Sequence, residues 1–235
     1  MRTRMRRRAA AVLTVSALCL TAAACGDSDS GSGSDGDKKS KGSATAKPLT
    51  AEQMKAGLVE LKDLPAGYKA GESATDEIAY KADKKECQPV ADFLNKKIAG
   101  ATDGGSADFE GPKESGLLAQ NVFTFTGSGA EDFTKALSTA LDACTAFAIG
   151  EGEQGMAMTV EKLPSAPKAG DESHAFLMKT EIKSLSMKFE TNLQVVRQGT
   201  GVSRISYVPS DASGHKNFDD LAKRSGEKFV KAAQG

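Results

Sequence analysis

The fold class is decided by residues 187–208, MKFETNLQVVRQGTGVSRISYV. From Met187 to Val195, apolar or β-branched residues alternate with polar ones, which is the pattern of a strand with one buried face. The turn residues QGTG follow at 198–201, and an apolar-rich strand returns over 202–208. Consecutive strands joined by a tight turn pair antiparallel, so the sequence predicts an antiparallel sheet in this part of the chain.

Further strands are predicted upstream of this hairpin. The alternating segments cover 117–126, 156–160 and 174–178, and Pro164 closes the second of them. Residues 99–116 contain five glycines and a proline, and they are predicted as loop and strand edges.

The strongest local signal is an amphipathic helix between residues 128 and 150. Ser128 and Glu131 have the spacing of a capping box. Apolar residues then recur at helical spacing along one face: Phe133, Ala136, Leu137, Ala140, Leu141, Cys144, Phe147 and Ala148. Such a stripe faces a core, and Gly150 is the predicted end of the helix.

Three further helices are predicted. The first starts at Thr50, which has the capping-box spacing to Gln53, and it ends before Pro65 because the residue before a proline disfavours helical geometry. A short helix starts at Cys87. The last helix covers the apolar residues of 218–230.

The first 25 residues have the composition of a bacterial lipoprotein signal. Five arginines and no acidic residue precede an apolar run of 16 residues, 9–24. That run is shorter than the roughly 20 residues a membrane-spanning helix needs. Residues 22–26 at its end read Ala-Ala-Ala-Cys-Gly, so that Cys25 directly follows the run, and this resembles a lipobox. We predict a signal peptide over 1–24 and lipidation of Cys25; the alternatives are a plain secretory signal and a short transmembrane anchor.

Residues 25–47 are predicted to form a lipidated, disordered linker. They are rich in Gly, Ser, Asp and Lys and show no apolar periodicity. Such a composition cannot offset the entropy of ordering, and a coil of this length spans on the order of 25 Å. The predicted location is the extracytoplasmic face of the cell membrane, with the membrane as a partner through the lipid anchor.

Charge and composition narrow the function classes. The chain has 31 basic and 31 acidic residues, and removal of the five N-terminal arginines leaves a net charge of −5. This argues against nucleic acid as a partner, since nucleic-acid binding needs clustered positive charge. The 39% apolar content suffices for one core. The prediction is one α+β domain over 48–235, an antiparallel β-sheet flanked by α-helices, which we expect on one face.

Two of the four cysteines remain available in the domain. Cys19 leaves with the signal peptide, and Cys25 carries the lipid. Export places Cys87 and Cys144 in an oxidising compartment, where paired thiols oxidise. We predict a disulfide between them in preference to a catalytic or metal-binding cysteine.

Several features together resemble a known family. They are a helix ending in DLPAGY at 63–68, the start CQPV at 87–90, a helix reaching Cys144, and late antiparallel strands that close with a helix. This combination resembles the PknH-like extracellular sensor domains of mycobacterial receptor kinases and their actinobacterial lipoprotein relatives. The resemblance implies a twisted antiparallel sheet flanked by helices, a cleft as ligand site and no catalysis. The kinase sensor has two disulfides, whereas this domain has cysteines for one. Cys87 and Cys144 are therefore the only residues to which the resemblance assigns a role.

Residue patterns for catalysis or metal binding are sparse. GEGEQG at 150–155 matches G-x-G-x-x-G, but a helix precedes it and a strand follows, the reverse of a dinucleotide site. His174 and His215 are the only histidines, too few for a zinc site. The segment DESH at 171–174 holds triad residue types, yet neighbours on a strand point to opposite faces. We predict no enzyme, no cofactor and no metal.

Four methionines lie on predicted strand positions: Met156, Met158, Met178 and Met187. They face either the core or an apolar groove for a lipid-like ligand. The predicted function is a membrane-anchored extracytoplasmic lipoprotein with a non-catalytic ligand-binding or sensor-like domain, whose small-molecule or protein partner the sequence does not identify. The alternatives are a carrier of an apolar or lipid-like molecule and a cell-envelope protein-interaction module.

Overall fold

The described part of the chain forms one antiparallel sheet of eight strands, in the order β1-β2-β3-β8-β7-β6-β5-β4. The structure is a computed structural model that describes residues 47–73, 79–112, 116–150, 155–210 and 214–235, all within one unit from Ser43 to Gly235. The predicted signal peptide and Cys25 lie outside the described residues, as does the predicted linker up to residue 46.

The strands are β1 (Lys69–Ala70), β2 (Ala101–Glu110), β3 (Leu117–Phe125), β4 (Ala146–Ile149), β5 (Met156–Lys162), β6 (Glu172–Ile182), β7 (Met187–Gln198) and β8 (Gly201–Val208). The helices are α1 (Ala51–Ala56), α2 (Gln88–Leu94), α3 (Gly129–Ala143) and α4 (Phe218–Gln234). The strands predicted at 117–126, 156–160, 174–178 and 187–208 are confirmed, and so is the C-terminal helix.

Helix α3 carries the chain from the middle of the sheet to its far edge. β1, β2 and β3 are neighbours in sequence and in the sheet, and α3 then leads to β4 at the opposite edge. β4 to β8 return as antiparallel neighbours, so β8 pairs with β3 in the middle. The β7–β8 turn passes through Gly199 at φ 57°, a left-handed conformation that glycine adopts without strain.

Helices cover both faces of the sheet. α2 and α3 pack on the face that carries Phe123 and Val195. α1 and α4 pack on the face that carries their neighbours Val122 and Val196, since adjacent strand residues point to opposite sides. The α+β class and the flanked antiparallel sheet are confirmed, but the expectation of helices on one face is wrong. The consecutive valines at 195 and 196 supply one apolar side chain to each layer.

The predicted disulfide between Cys87 and Cys144 is present. It joins the start of α2 to the residue that follows α3, with the two Cα atoms 5.2 Å apart. Both residues are buried, at 0% and 1% exposed. The bond therefore ties together the two helices that cover one face of the sheet.

Arg204 of β8 anchors α2 to the sheet. Its guanidinium lies over the rings of Phe93 and Phe123, at 5.5 and 5.4 Å from their centroids. It donates to the carbonyl oxygens of Phe93 and Asn95. Burial lowers the pKa of Arg204 to about 10, so the side chain keeps its charge at neutral pH.

Helix α3 ends earlier than its apolar stripe predicts. It stops at Ala143, and the predicted helical residues Phe147 and Ala148 belong to β4. Cys144 leaves the helical conformation, and the chain after it pairs with β5. Phe147 still faces the same core, which explains why the stripe continues past the end of the helix.

The two predicted capping boxes have different outcomes. In α1, Gln53 N donates to Thr50 Oγ1 at 3.2 Å and Thr50 N donates to Gln53 Oε1 at 3.0 Å, as predicted. Ser128 precedes α3, but its hydroxyl donates to Asp132 Oδ2 and makes no cap hydrogen bond. The capping box predicted between Ser128 and Glu131 is therefore wrong.

Helix α1 stops at Ala56, well before the predicted end at Pro65, because the chain beyond it bonds a buried glutamine. Val59 N donates to Gln120 Oε1 at 2.6 Å, and Gln120 Nε2 donates to the Gly57 carbonyl oxygen at 3.1 Å. The segment predicted as loop and strand edges contains the ten-residue strand β2. None of the helices in the described ranges is long and apolar enough to span a bilayer.

Candidate functional site

The four methionines of the predicted groove do not share one environment. Met158 and Met178 are core residues, at 4% and 5% exposed. Met156 is half-buried against the same core, and Met187 is 46% exposed at the start of β7. Met158 and Met178 belong to the core beneath α2 and α3, and the apolar groove stays a prediction.

A cleft of about 250 Å³ lies at one edge of the sheet, where β5 has ended and β6 begins. Lys162, the last residue of β5, pairs with Phe176, so the first residues of β6 lie beyond the end of β5. We call this space the β6 cleft. It is lined by residues of 162–168, by 173–175 of β6, by Gln194 of β7 and by Leu141 of α3.

The segment 163–168, LPSAPK, forms the outer wall of the β6 cleft and is fixed at both ends. Leu163 N donates to the Ala175 carbonyl oxygen at 2.8 Å. Gln194 Nε2 donates to the Pro167 carbonyl oxygen at 2.6 Å. Between these points Ala166 is buried in the core beside α4. The wall is therefore held in place by the sheet itself.

Gln194 is the buried polar residue of the cleft lining. The residue is 2% exposed, and its Nε2 is committed to Pro167. Its Oε1 is buried and has no hydrogen-bond partner among the described residues. A buried acceptor left unmet costs about 1–3 kcal/mol. Gln194 thus holds the wall segment in place through its Nε2, and its amide oxygen is buried behind the cleft lining.

The charged side chains that line the cleft are basic. These are Lys162 and Lys168, whereas the lining residues include no Asp or Glu among those described. Lys162 forms an ion pair with Asp142 of α3. Lys168 is exposed and has no carboxylate partner within the described ranges.

Glu172 fixes the imidazole of His174 at the start of β6. Glu172 Oε1 lies 2.8 Å from His174 Nε2, and its Oε2 accepts from Thr134 Oγ1 at 2.8 Å and from Arg197 Nε at 3.4 Å. Burial alone raises the pKa of Glu172, but the hydrogen bonds with His174, Thr134 and Arg197 outweigh it and hold the pKa below its usual value. The carboxylate therefore stays ionised, with its acceptor sites in use.

The triad-type residues of 171–174 are not brought together. Ser173 Oγ accepts from Ala169 N at 3.4 Å, while the neighbouring His174 bonds Glu172. Over the described residues, no three His, Cys, Asp or Glu side chains gather as a metal site. The side chain of His215 and residues 151–154 of the glycine motif lie outside the described part.

Sequence reasoning identified His174 as a strand residue but missed Gln194 and the cleft. Gln194 occupies a polar position of the β7 alternation, which predicted a solvent-facing side chain. The adjacent apolar pair Val195 and Val196 was the available signal, because it implies that the second face of β7 is also covered. The wall segment 163–168 has no periodic pattern, so nothing local marked it.

No family model and no curated protein matches the chain. Among solved structures, it is similar to the extracellular domain of PknH from Mycobacterium tuberculosis, with a TM-score of 0.54 and 12% sequence identity. The match covers 80% of this chain and 98% of that one. At this identity the likeness bears on the fold alone. The resemblance drawn from the sequence is confirmed at that level, and the chain has the fold of the PknH extracellular domain.

Proposed function

We propose that the protein is a ligand-binding, sensor-like module without chemistry of its own, anchored at the extracytoplasmic face of the cell membrane through lipid on Cys25. The observation that carries the ligand-binding part is the β6 cleft itself, a space of about 250 Å³ whose outer wall is fixed by hydrogen bonds to β6 and β7.

The anchoring part is supported by the N-terminal sequence and by the domain that follows. The arginines, the apolar run and the small residues before Cys25 are the parts of a lipoprotein signal. A buried disulfide fits an oxidising compartment. The fold shared with an extracellular domain supports the same placement.

The non-catalytic part is supported by the groups at the cleft. Among the described lining residues, the hydroxyl of Ser173 accepts from a backbone N–H instead of pairing with a base. His174 is bonded to Glu172. Acyl-transfer chemistry needs a nucleophile on a base and an oriented base. These groups offer a ligand contacts and do not form such a pair.

The direct test compares native with denaturing mass spectrometry of the full chain purified from its own envelope. We expect an additional mass under native conditions only. Ala175→Leu, which adds side-chain volume at the cleft, should lose that mass. Ala157→Leu, at an exposed position of β5, is the matched control and should retain it. Retention of the mass by Ala175→Leu would place the ligand elsewhere and contradict the proposal.

A second candidate function is a cell-envelope interaction module. It is favoured by a second groove, of about 320 Å³, which is lined by residues of β2, β3 and β8. Leu117 is 56% exposed there, opposite Glu110 in the register of β2 and β3. A photo-reactive residue at 117 should then crosslink a partner in intact cells, while one at the equally exposed Leu185 should not. Equal crosslinking from both positions, or none, would remove this candidate.

A further inference from the structure

The groove along β2, β3 and β8, which we call the β3 groove, indicates the chemistry of its partner. We propose that it docks a protein segment in which Lys or Arg residues flank an apolar side chain; this inference rests on the second candidate function, the cell-envelope interaction module. Three features carry it: a part of the sheet face beyond the helix cover, an apolar floor, and a rim with a net negative charge.

The floor of the β3 groove lies beyond the row at which α2 is bonded to the sheet. That row is Arg204 of β8, which holds α2, and its β3 partner Asn121. Alternate residues of a strand share a face, so the next residues of β3 on this face are Ala119, which is half-buried, and Leu117, which is 56% exposed. Leu117 pairs with the half-buried Val208 of β8. The end of the helix cover therefore leaves an apolar floor open to solvent.

The openness of this floor favours a protein segment over a small molecule. Small-molecule sites bury most of the surface of their ligand in a concave pocket, whereas the central side chain of this floor is more than half exposed. Protein interfaces are flatter, with an apolar centre and a polar rim. The β3 groove has that arrangement, because Leu117, Ala119 and Val208 lie at its centre and carboxylates lie at its β1 side.

The rim is held in place by the short pairing of β1 with β2. Gly71 N donates to the Asp108 carbonyl oxygen at 2.8 Å, which keeps the following residue, Glu72, beside β2. The Asp108 carboxylate accepts from the hydroxyl of Ser73, a neutral donor that leaves its negative charge uncompensated. Neither Glu72 nor Asp108 forms an ion pair within the described ranges.

The charges around the groove do not cancel. Glu110 pairs with Lys69, so the three carboxylates of Glu72, Asp108 and Glu110 and this one lysine leave a net charge of −2. No Lys, Arg or His occurs among the described residues that line the groove. In the sequence, the neighbouring residues 74–78 include two acidic and no basic side chains, and 113–115 include one of each. A cationic partner therefore complements this surface.

Three matched peptides, capped at both ends, separate the contributions of charge and apolar contact. KVLVK has both, EVLVE has the opposite charge, and KSSSK lacks the apolar centre. Titrations of the full chain at constant low ionic strength would follow the backbone amides of 117–119 and 206–208 by NMR. We expect EVLVE to bind about tenfold more weakly than KVLVK, for two lost exposed ion pairs. KSSSK should also bind about tenfold more weakly, for the lost apolar burial.

Variants assign these differences to residues. Asp108→Asn keeps an acceptor for Ser73 but removes the charge, and it should weaken KVLVK about threefold. Leu117→Ser should weaken KVLVK about fivefold and leave KSSSK unchanged. Glu161→Gln, at an exposed carboxylate of β5, removes the same charge from the chain and is the matched control for Asp108→Asn. Leu185→Ser, at a side chain that is 63% exposed, is the control for Leu117→Ser. Both controls should bind all three peptides like the wild type.

The outcomes distinguish this inference from the function on which it rests. Equal affinities for KVLVK and EVLVE, or equal affinities of Asp108→Asn and Glu161→Gln for KVLVK, would overturn the cationic class. If no peptide shifts these amides while a photo-reactive residue at 117 still crosslinks a partner protein in cells, the cationic class fails and the interaction module stands. If no peptide binds and residue 117 crosslinks nothing, both fail. A crosslink from residue 117 to a second copy of this chain or to lipid would overturn the docking of a partner segment.

Discussion

Loss of the Cys87–Cys144 disulfide should lower the thermal midpoint of the domain by a large and calculable amount. The bond spans a sequence separation of 57 residues. In the chain-entropy model, a cross-link that closes a loop of that length raises the free energy of unfolding by about 4 kcal/mol. For a domain of this size each kcal/mol shifts the midpoint by about 2–4 °C, so the expected loss is about 8–16 °C.

The assay has to allow for the burial of both sulfurs. Cys87 and Cys144 are 0% and 1% exposed, so reductant added to the folded protein meets no accessible bond. The protein should be unfolded in denaturant with a phosphine reductant, refolded in its presence and then melted by circular dichroism. Because the reduced thiols still occupy the same core sites, the difference from the oxidised protein isolates the cross-link. Cys87→Ala/Cys144→Ala is the control, and its midpoint should not respond to reductant.

The refuting result is specific. If thiol titration finds two free thiols in the reduced protein and its midpoint equals that of the oxidised protein, the loop-closure reasoning is wrong. If the oxidised protein already contains two free thiols, the pairing itself is wrong.

Three further changes have defined outcomes. Cys25→Ser should shift the protein from the detergent phase to the aqueous phase in a phase-partition assay, since the acyl anchor is lost; an unchanged partition would contradict lipidation. The pKa of Glu172 is lowered from its usual 4.5 on folding, so its charge adds stability above pH 4.5 that disappears as pH falls through the lower folded-state pKa. Glu172→Gln should therefore lose less stability than the wild type on acidification in urea unfolding, and parallel curves would refute this. Arg204→Ala should destabilise the domain by about 3 kcal/mol in urea, for the lost stacking and the carbonyl left unpaired; a loss below that of an exposed control, Lys179→Ala, would show that the guanidinium anchors nothing.

The accuracy of sequence-based prediction here depended on how local the deciding interaction was. β3, β5, β6 and β7 follow a two-residue alternation, and each was located from that alone. β2 has few apolar residues and contains the bulge at Gly104 and Gly105, where its register against β3 shifts. Its strand conformation comes from pairing with β3, and no local sequence pattern predicts that pairing.

The ends of the helices show the same limit. The first turn of α1 was predictable because Thr50 and Gln53 bond each other within one turn. Its last turn was not, because the partner that draws the chain away is Gln120, 61 residues from Val59. The β6 cleft is also non-local. It exists because β5 stops at Lys162, so the first residues of β6 have no β5 neighbour, and residues 163–168, which belong to no strand, form its outer wall.

The pairing of β8 with β3 sets the order in which this protein can fold. Gln120 and Ser203, which bond each other in the middle of the sheet, are 83 residues apart in the chain. Closing so long a loop is entropically slow, and it cannot begin until the last strand is available. If the chain is exported N-terminus first, as proposed, β3 lacks its β8 partner until almost the whole domain has crossed. Truncation before β8 would leave the edge of β3 that faces β8 as an open template for aggregation, so a C-terminal deletion that reaches β8 should be far more damaging to yield than its length implies.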